Sequence, residues 1–353
     1  MGHPLQLEIQ NYLAESEIAA LRDLVRSNQR FVLTTHVNPD GDGLGCELAL
    51  YHVLKAMGKE VAVLNHSATP ELYGFLDPGG VLQKYDPDKH LPLLQKADAA
   101  FVLDIGEWDR LRTVGDGLRR ARPHTLVCID HHPSCERIGD LDIVYPQASS
   151  TGEILFLLFD RLGFDITNPV ATALYTAILT DTGSFRFTNT TVNSHYIAGY
   201  LMALGVDYLQ LYKRIYESEK PAKVRLLAEM LLHMHFECRH RVTWYAVSQD
   251  MLQRYGLGPE DTEGLAEFPR RIAGVEVSVL FLELEKNVTK VSFRSAGRIP
   301  IHHFAQMFNG GGHPYASGAI LPLPMDEVIA RFREHICRYL EDEESRLRSS
   351  PPP

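Results

Sequence analysis

Residues 31–43 read FVLTTHVNPDGDG, an apolar run followed at once by one imidazole and two carboxylates. The run at 31–33 is typical of a buried strand, and the two glycines allow the chain to turn sharply after it. Ionisable side chains this close to a core strand are costly to bury unless a cation compensates the carboxylate charges. The stretch therefore predicts a metal-binding turn, with His36, Asp40 and Asp42 as candidate ligands.

Side chains of the same ligand types recur after three later apolar runs. They are Asp104 after residues 100–103, Asp130-His131-His132 after residues 126–129, and Asp181 after residues 177–180. Helix capping would explain a single aspartate at such a place, but it does not explain recurrence after four runs. We therefore expect the four segments to meet in one metal site.

Short apolar runs alternate with helical patterns through the first half of the chain. We predict strands at 31–35, 61–64, 100–103 and 126–129, and helices at 19–28, 44–57, 153–162, 169–180 and 194–204. Continuous apolar runs fit strands buried on both faces, and the interleaved helices indicate crossovers in a mostly parallel sheet. The pattern predicts an α/β fold, in which ligands gather beyond the carboxyl ends of the strands. Asp181 would close a helix, whereas the other motifs follow strands.

The pattern changes after Gly205, and a chain of 353 residues is long enough for two domains. We predict a first domain at 1–205, a helical connector at 206–233, a smaller α/β domain at 234–342 and a disordered tail at 343–353. The second domain is expected to contain strands at 242–248, 275–285 and 288–294, and helices at 300–308 and 325–340.

The composition excludes several classes of protein. A net charge of −10 argues against binding of long duplex nucleic acid, although a bound cation can still attract a short anionic ligand. No apolar segment is long enough to span a membrane and the N-terminus lacks an apolar signal core, so a cytoplasmic protein is expected. The five cysteines are scattered, and Cys46 and Cys128 lie in apolar surroundings. Buried free thiols are expected rather than disulfides or zinc ligands.

The mixed set of imidazoles and carboxylates suits manganese, iron, magnesium or zinc. Asp40 and Asp42 are separated by one residue, so they can face two different cations, and Asp104 is the best candidate to bridge these. Two cations ~3.5–4 Å apart can activate a water and stabilise the leaving oxygen of a phosphoester. Adjacent His131 and His132 point in different directions, so one can bind metal while the other faces a substrate.

A third motif, GGGHPYASG, lies at residues 310–318. Its glycines let the backbone approach a ligand closely and present N–H groups to an anion. Arg294, at the end of a predicted strand, offers a bidentate fork for a phosphate or carboxylate. The glycines alone would indicate a flexible loop, but with Arg294 they predict an anion-binding site.

Together these segments resemble the motifs of the DHH phosphoesterase superfamily, named for the triplet seen here at residues 130–132. The resembling segments are HVNPDGDGLG, the aspartate of VLDIG, IDHHP and TDTGSFRF, while RS and GGGHPYASGA resemble the signature of the accessory DHHA1 domain. The resemblance covers residues 25–340 and is greatest to NrnA-type members, which act as nanoRNases and as phosphatases of 3′-phosphoadenosine 5′-phosphate (PAP). It implies a DHH domain, a DHHA1 domain and an active site in the cleft between them.

The resemblance also implies a role for each site residue. One metal would bind His36, Asp40 and Asp104, and the other would bind Asp42, Asp104, His131 and Asp181. The catalytic group would be Asp104, His132 facing the scissile phosphate, and Asp130 supporting the histidines. The substrate would bind to Arg294, Gly311, Gly312, His313 and Ser317. Two divalent cations, manganese or alternatively magnesium, are the implied cofactors, and Ser184, where some NrnA proteins carry arginine, leaves the substrate preference open.

The implied partner is a short RNA or a small nucleotide, with a homodimer as a candidate assembly. Hydrolysis would release 5′-mononucleotides from nanoRNA or AMP from PAP. One alternative is a phosphodiesterase of linear or cyclic dinucleotides such as pGpG, pApA or cyclic-di-AMP. A catalytically silent nucleotide sensor is the alternative of another class, and a missing ligand would favour it, but none is missing. A pyrophosphatase would carry a different second domain, and a RecJ-like exonuclease would carry further DNA-binding domains.

Overall fold

The computed structural model of the chain describes residues 9–133, 136–262 and 264–349. The chain divides into two compact units, with the boundary between Ser218 and Glu219. This boundary lies inside the segment predicted as a connector. Each unit has its own six-stranded sheet and its own hydrophobic core.

The first unit is built on a parallel sheet. Its helices and strands are α1 (Glu15–Ser27), β1 (Arg30–Thr34), α2 (Gly41–Ala56), β2 (Glu60–Asn65), β3 (Leu82–Lys84), α3 (Pro87–Lys96), β4 (Ala99–Leu103), α4 (Arg112–Ala121), β5 (Thr125–Asp130), β6 (Leu141–Val144), α5 (Thr151–Leu162), α6 (Asn168–Asp181), α7 (Val192–Ala203) and α8 (Tyr208–Tyr216). The strand order is β3-β2-β1-β4-β5-β6, and every neighbouring pair is parallel. The predicted α/β class and parallel sheet are confirmed.

Strand β4 is buried on both faces because its sequence is apolar at every position. All five residues of β4 are buried. Phe101 and Leu103 join the core on one face of the sheet, while Ala100 and Val102 join the core on the other. The order of strands reverses between β1 and β4, where parallel sheets hold their ligands. The turn after β1 and the residue after β4 carry predicted metal ligands.

Two glycines allow α2 and α6 to pack closely. A Cβ atom at Gly45 would lie 2.5 Å from the Ala173 carbonyl oxygen, and one at Gly41 would lie 2.5 Å from the Thr180 side chain. Both distances are shorter than real side chains adopt, so only glycine permits this approach. The contact brings the start of α2, which carries Asp42, beside the end of α6, which carries Asp181.

The second unit has a mixed sheet with the order β11-β12-β10-β9-β8-β7. Its elements are α9 (Pro221–Leu232), β7 (His235–Glu237), β8 (Val242–Val247), α10 (Gln249–Tyr255), β9 (Val277–Glu285), β10 (Val288–Ser295), α11 (His302–Gln306), β11 (Gly311–His313), β12 (Ala316–Leu321) and α12 (Met325–Ser349). Only the pair β8 and β9 is parallel among these strands. No helix in the described ranges combines the length and the apolar character that a membrane span requires.

The last helix extends beyond its predicted end. The structure continues α12 to Ser349, so residues 343–349, predicted as part of a disordered tail, are helical. Glu343 is buried and accepts a hydrogen bond from Arg346 at 2.7 Å, and the residue types in this segment are good helix formers. Residues 350–353 lie outside the described part of the chain.

The cysteine prediction holds in part. Cys46 and Cys128 are buried free thiols, as expected. Cys238 and Cys337 form a disulfide instead, with their Cα atoms 5.3 Å apart across 99 residues of sequence. The expectation of free thiols was wrong here because α12 packs against the sheet and meets the turn after β7, a contact that cysteine spacing does not indicate. Cys135 lies outside the described residues.

The packing of α2 against α6 predicts that Gly45→Ala destabilises the chain. The added methyl group must push α6 away, which should cost about 1–3 kcal/mol of unfolding free energy. Urea unfolding followed by circular dichroism measures this loss. Gly199→Ala in α7 is the matched control, because a Cβ atom there meets nothing within 4 Å and alanine favours a helix. Equal unfolding free energies for the two variants would contradict the proposed constraint.

Candidate functional site

All six predicted metal ligands lie together at the carboxyl ends of β1, β4 and β5. Together with His132, they form three sets, and within each set the ligand atoms lie within 4.8 Å of one another; Asp104 belongs to two of the sets. These sets are His36, Asp40 and Asp104; Asp42, His131 and Asp181; and Asp104, His131 and His132. The four segments singled out in the sequence therefore form one cluster in the first unit.

The two candidate histidine ligands are oriented by backbone carbonyls. His36 Nδ1 donates to the Val37 carbonyl oxygen at 2.9 Å, and His131 Nδ1 donates to the Ala148 carbonyl oxygen at 3.3 Å. Because a carbonyl oxygen only accepts, Nδ1 carries a proton in both rings. The other nitrogen, Nε2, then faces the carboxylates, which is the arrangement that supports metal-ligating histidines.

Asp104 presents its two oxygens to different histidines. Its Oδ2 lies 3.5 Å from His36 Nε2, and its Oδ1 lies 3.7 Å from His131 Nε2. The backbone of Asp104 has a φ of 57°, a conformation that is uncommon outside glycine and recurs at functional sites. Burial works to raise the pKa of this carboxyl, but the hydrogen bond and charge of His36 hold it well below its usual range. Asp104 therefore has the geometry of a bridging ligand.

Asp42 is held by the first turn of α5. The Thr151 N–H donates to its Oδ2 at 2.8 Å, and the Gly152 N–H donates to its Oδ1 at 3.0 Å. The Cys46 thiol donates to Oδ1 at 3.4 Å. Burial, followed by the neighbouring carboxylates, raises the pKa of Asp42 well above its usual range. Sequence reasoning missed this support by α5, although the segment Ser150–Glu153 carries a recognisable N-cap pattern.

Asp181 is held by Asn189, a residue that sequence reasoning missed. The Asn189 side-chain amide donates to Asp181 Oδ2 at 2.9 Å and to the Ser149 carbonyl oxygen at 2.8 Å. Residues 183–185 have φ values of 54°, 60° and 61°, so the chain turns back and returns Asn189 to the site. Burial raises the pKa of Asp181 to about 7, with an opposing effect of His131 and a further increase from Asp104.

The remaining ligand, Asp40, is half exposed and also caps α2. Its Oδ1 accepts the N–H groups of Asp42 at 3.0 Å and Gly43 at 3.2 Å, and it lies 3.8 Å from His36 Nε2. Burial works to lower the pKa of His36, but the carboxylates of Asp104 and Asp40 outweigh burial and raise it to about 10. Capping and ligation are therefore compatible roles for Asp40.

Asp130 and His132 form a pair beside the metal ligands. His132 Nδ1 donates to Asp130 Oδ1 at 2.6 Å and lies 3.8 Å from Asp104 Oδ1. Burial and Arg110 work to lower the pKa of His132, but the carboxylates of Asp130 and Asp104 raise it overall. This imidazole is therefore stabilised in its protonated form next to the cluster.

The cluster fits divalent cations. Buried carboxylates that repel one another are stable only when protonated or when a positive charge lies between them. The pKa values of Asp42 and Asp181 are raised and that of His36 is raised as well, so protons supply this compensation in the metal-free chain. Oxygen and imidazole donors without a thiolate suit manganese, magnesium, iron or zinc.

The second unit brings only part of its predicted site together. Arg294 on β10 pairs with Ala316 on β12, and Phe293 pairs with Ser317. Because side chains alternate across a strand, Ser317 lies with Phe293 on the face that packs against the main core of this unit, whereas Arg294 lies on the opposite face. Ser317 is buried accordingly. The two side chains predicted to share a phosphate therefore point to opposite faces of the sheet.

The glycine motif is a strand rather than a flexible loop. Gly311 pairs with Gly318, and Gly312 pairs with Ser317. Gly312 has a φ of 135°, and a Cβ atom there would lie 2.7 Å from the Ala316 carbonyl oxygen, so only glycine fits. The backbone of His313 ends β11, while its side chain lies outside what the structure describes.

Glu267 occupies one edge of the Arg294 fork. Arg294 Nε donates to Glu267 Oε1 at 2.6 Å, and Arg270 donates to Glu267 Oε2 at 2.6 Å. No sequence pattern connects Glu267 with Arg294, since 27 residues separate them. This pairing fixes the orientation of the Arg294 guanidinium on the face of the sheet opposite Phe293.

Comparison with known families assigns each region of the chain. Residues 30–178 match the model of the DHH family, N-terminal domain, and residues 245–342 match the model of the DHHA1 domain. The first matched region contains every residue of the cluster except Asp181. The second matched region contains Arg294 and the glycine motif. The order of the two domains agrees with that expected from the motifs.

Characterised relatives match most of the chain. The bifunctional oligoribonuclease and PAP phosphatase NrnA of Thermus thermophilus is 32% identical over 306 residues, which cover 86% of this chain and 88% of the relative. The protein of the same name from Bacillus subtilis is 28% identical, with coverage of 82% and 88%. The crystal structure of an exopolyphosphatase-related protein from Bacteroides fragilis is similar with a TM-score of 0.90 and 27% identity, covering 96% of this chain and 100% of that chain.

The pKa values in the cluster predict that manganese binding releases protons. His36 keeps a proton up to about pH 10 in the metal-free chain, and Nε2 must lose it before it can bind a cation. At least one proton per protein should be released near neutral pH, and the affinity should rise with pH towards that value. Calorimetric titration in two buffers of different ionisation enthalpy measures the release, and His36→Gln should release fewer protons than the wild type. An affinity independent of pH would count against the assignment.

Proposed function

We propose, from the premise that this chain belongs to the DHH phosphoesterase family and carries a DHHA1 domain, that it hydrolyses nanoRNA to 5′-mononucleotides and PAP to AMP. The observation that carries the proposal is the complete six-ligand cluster in which Asp104 faces two histidines. Relatives named for both activities support the choice of substrates. A silent nucleotide sensor is disfavoured because every ligand is in place.

In this proposal the cluster holds two divalent cations. One set of ligands is His36, Asp40 and Asp104, and the other is Asp42, Asp104, His131 and Asp181. When bound, two such cations lower the pKa of a water and neutralise charge on the phosphate oxygens. Manganese is proposed rather than magnesium, because magnesium prefers a shell of oxygens and water whereas this cluster offers two imidazoles.

The protein's own residues prepare the site for that chemistry. Asn189 and the N–H groups of Thr151 and Gly152 fix the carboxylates of Asp181 and Asp42 before any substrate arrives. Orientation in advance reduces the reorganisation required during reaction. The supporting residues therefore contribute to turnover without touching the substrate.

His132 is the proposed contact to the scissile phosphate. Its hydrogen bond to Asp130 fixes the ring, and the raised pKa keeps a proton available for a phosphate oxygen. A charged donor at this place stabilises the extra negative charge of the transition state. Asp130 acts through His132, because its carboxylate is fully buried.

The second unit is proposed to bind the substrate's other phosphate. Arg294, oriented by Glu267, is the main contact. Gly311 and Gly312 on β11, which pairs with β12, add backbone N–H groups. Ser317, on the core face, is proposed to support the glycine strand rather than to contact phosphate with Arg294. The role of His313, the effect of Ser184 on substrate choice, the cytoplasmic location and the homodimer stay predictions.

A substrate panel with manganese tests the proposed function. Values of kcat/KM for a pentaribonucleotide, PAP, pApA and cyclic-di-AMP should be highest for the short RNA and PAP. Asp104→Asn should lower them by about a thousandfold or more, because one residue serves both cations. A preference for either dinucleotide over both proposed substrates would support the alternative phosphodiesterase. Near-normal activity of Asp104→Asn would sink the ligand assignment.

The proposed phosphate contact predicts a KM effect for Arg294→Gln. Loss of one charged hydrogen bond, worth about 1.5–3 kcal/mol, should raise KM by roughly tenfold to a hundredfold with a smaller change in kcat. Steady-state kinetics with PAP and a short RNA measure both constants. Lys290→Gln is the matched control, since Lys290 is a cation exposed on the same face of β10. An unchanged KM for every substrate would remove Arg294 from the site.

A further inference from the structure

A cavity of about 460 Å³ lies in the first unit beside α4, outside the metal cluster. Its lining combines the guanidinium groups of Arg119, Arg122 and Arg137 with the indole of Trp108 and apolar side chains such as Leu126. Cavities of this size that join apolar walls to a few charged groups are typical of small-molecule sites. None of these residues belongs to the proposed catalytic machinery.

The cavity lining carries more positive than negative charge. Arg119 and Arg122 form no ion pair with any residue in the described ranges, and Arg137 reaches only Asp142, at 3.8 Å, while being almost fully exposed. The chain as a whole has a net charge of −10. Three guanidinium groups against one carboxylate, that of Glu136, leave an excess of positive charge in the lining. This excess favours an anionic ligand, and arginine forks match phosphate oxygens.

The indole indicates that the ligand also has a planar part. The Arg119 guanidinium lies over the Trp108 ring, with its carbon 4.9 Å from the ring centroid. Such a cation–π pair holds the arginine flat against the cavity wall. Guanidinium planes and aromatic rings are the surfaces on which nucleobases stack. A phosphate joined to a base therefore fits the lining better than inorganic phosphate does.

The cavity is connected to the catalytic histidine through one loop. The backbone N–H of Trp108 donates to Glu136 Oε2 at 3.1 Å, and the backbone N–H of Glu136 donates to the Gly106 carbonyl oxygen at 2.8 Å. Gly106 packs against His132, since a Cβ atom built there would lie 3.4 Å from His132 Cβ. Trp108 lies two positions after Gly106 in the sequence, and Gly106 packs against His132. A ligand that contacts Trp108 is therefore close to the backbone that supports His132.

We propose that the Trp108 cavity is a second nucleotide site, which binds a nucleoside phosphate through Arg119, Arg122 and Arg137. The identity of its ligand rests on the proposed function, because the nucleotide is either the far end of a bound RNA or the free mononucleotide product. Both sources offer the same chemistry, a ribonucleotide with a charged phosphate and an unpaired base. The proposal therefore names one site with two distinguishable origins of ligand.

Tryptophan fluorescence tests the site directly in the full-length chain with magnesium. AMP should cause a saturable change that disappears in Trp108→Phe, since the only other tryptophan is Trp244. Arg119→Gln/Arg122→Gln should weaken the apparent affinity for AMP at least tenfold. Arg26→Gln/Arg120→Gln, which removes equal charge from α1 and α4 outside the lining, should not.

Asp104→Asn separates this site from the metal cluster. The fluorescence response to AMP should persist in that variant, whereas hydrolysis is lost. A response that disappears in Asp104→Asn would place AMP at the metal cluster and overturn the proposal. So would an equal affinity in Arg119→Gln/Arg122→Gln and wild type, or the absence of any saturable response in a chain that still hydrolyses nanoRNA or PAP. In each of those cases the proposed function would stand.

Kinetics distinguish the two sources of ligand. If the far end of the RNA occupies the cavity, Arg119→Gln/Arg122→Gln should raise KM for a pentaribonucleotide severalfold more than KM for a dinucleotide. If free product occupies it, added AMP should change the rate of dinucleotide hydrolysis in the wild type, and the double variant should lose that response. The site would be refuted if the KM change, the rate change and the fluorescence response were all absent.

Discussion

Buried negative charge is the constraint on which the rest of the first unit depends. Asp42 and Asp181 share a candidate ligand set with His131, and Asp104 lies 3.7 Å from the same imidazole, so the three carboxylates repel one another. In the metal-free chain this repulsion is relieved by protons, because the pKa values of Asp42, Asp181 and His36 are all raised. Cations and protons therefore compete for the same place, and metal binding is coupled to both pH and folding.

The helices must supply the energy that holds these carboxylates together. Asp42 and Asp181 lie on α2 and α6, and only the close packing at Gly41 and Gly45 keeps the two helix ends adjacent. The reversal of strand order between β1 and β4 adds Asp104 from the sheet side. Packing and topology thus hold carboxylates together although they repel one another. A bound cation can compensate this negative charge. Such local conflict with stability is typical of functional sites.

The sequence was most informative where a residue type restricts the environment of its side chain, as apolar residues require burial and carboxylates require water, hydrogen bonds or a cation. Apolar runs such as 100–103 predicted buried strands, and the polar residues after them predicted the cluster. Asn189 could not be predicted, because its approach to Asp181 depends on three successive left-handed residues. The Cys238–Cys337 pair also depends on tertiary packing across 99 residues. The split of Arg294 and Ser317 was missed because the glycine motif was treated as a loop, where side-chain alternation has no meaning.

Comparison of Glu153 with the ligand aspartates shows how the fold separates a structural carboxylate from a catalytic one. Glu153 is as buried as Asp42, yet it accepts hydrogen bonds from five donors: the N–H and hydroxyl of Ser149 and the side chains of Tyr12, Thr191 and Asn193. Its charge is satisfied by the protein, and it fixes the start of α5, whose N–H groups orient Asp42. Among the described residues, the Asp104 side chain accepts a hydrogen bond only from the Thr151 hydroxyl besides its contacts with histidines. A carboxylate buried with so few donors retains lone pairs for a cation, so hydrogen-bond accounting separates the bridging candidate Asp104 from the structural Glu153.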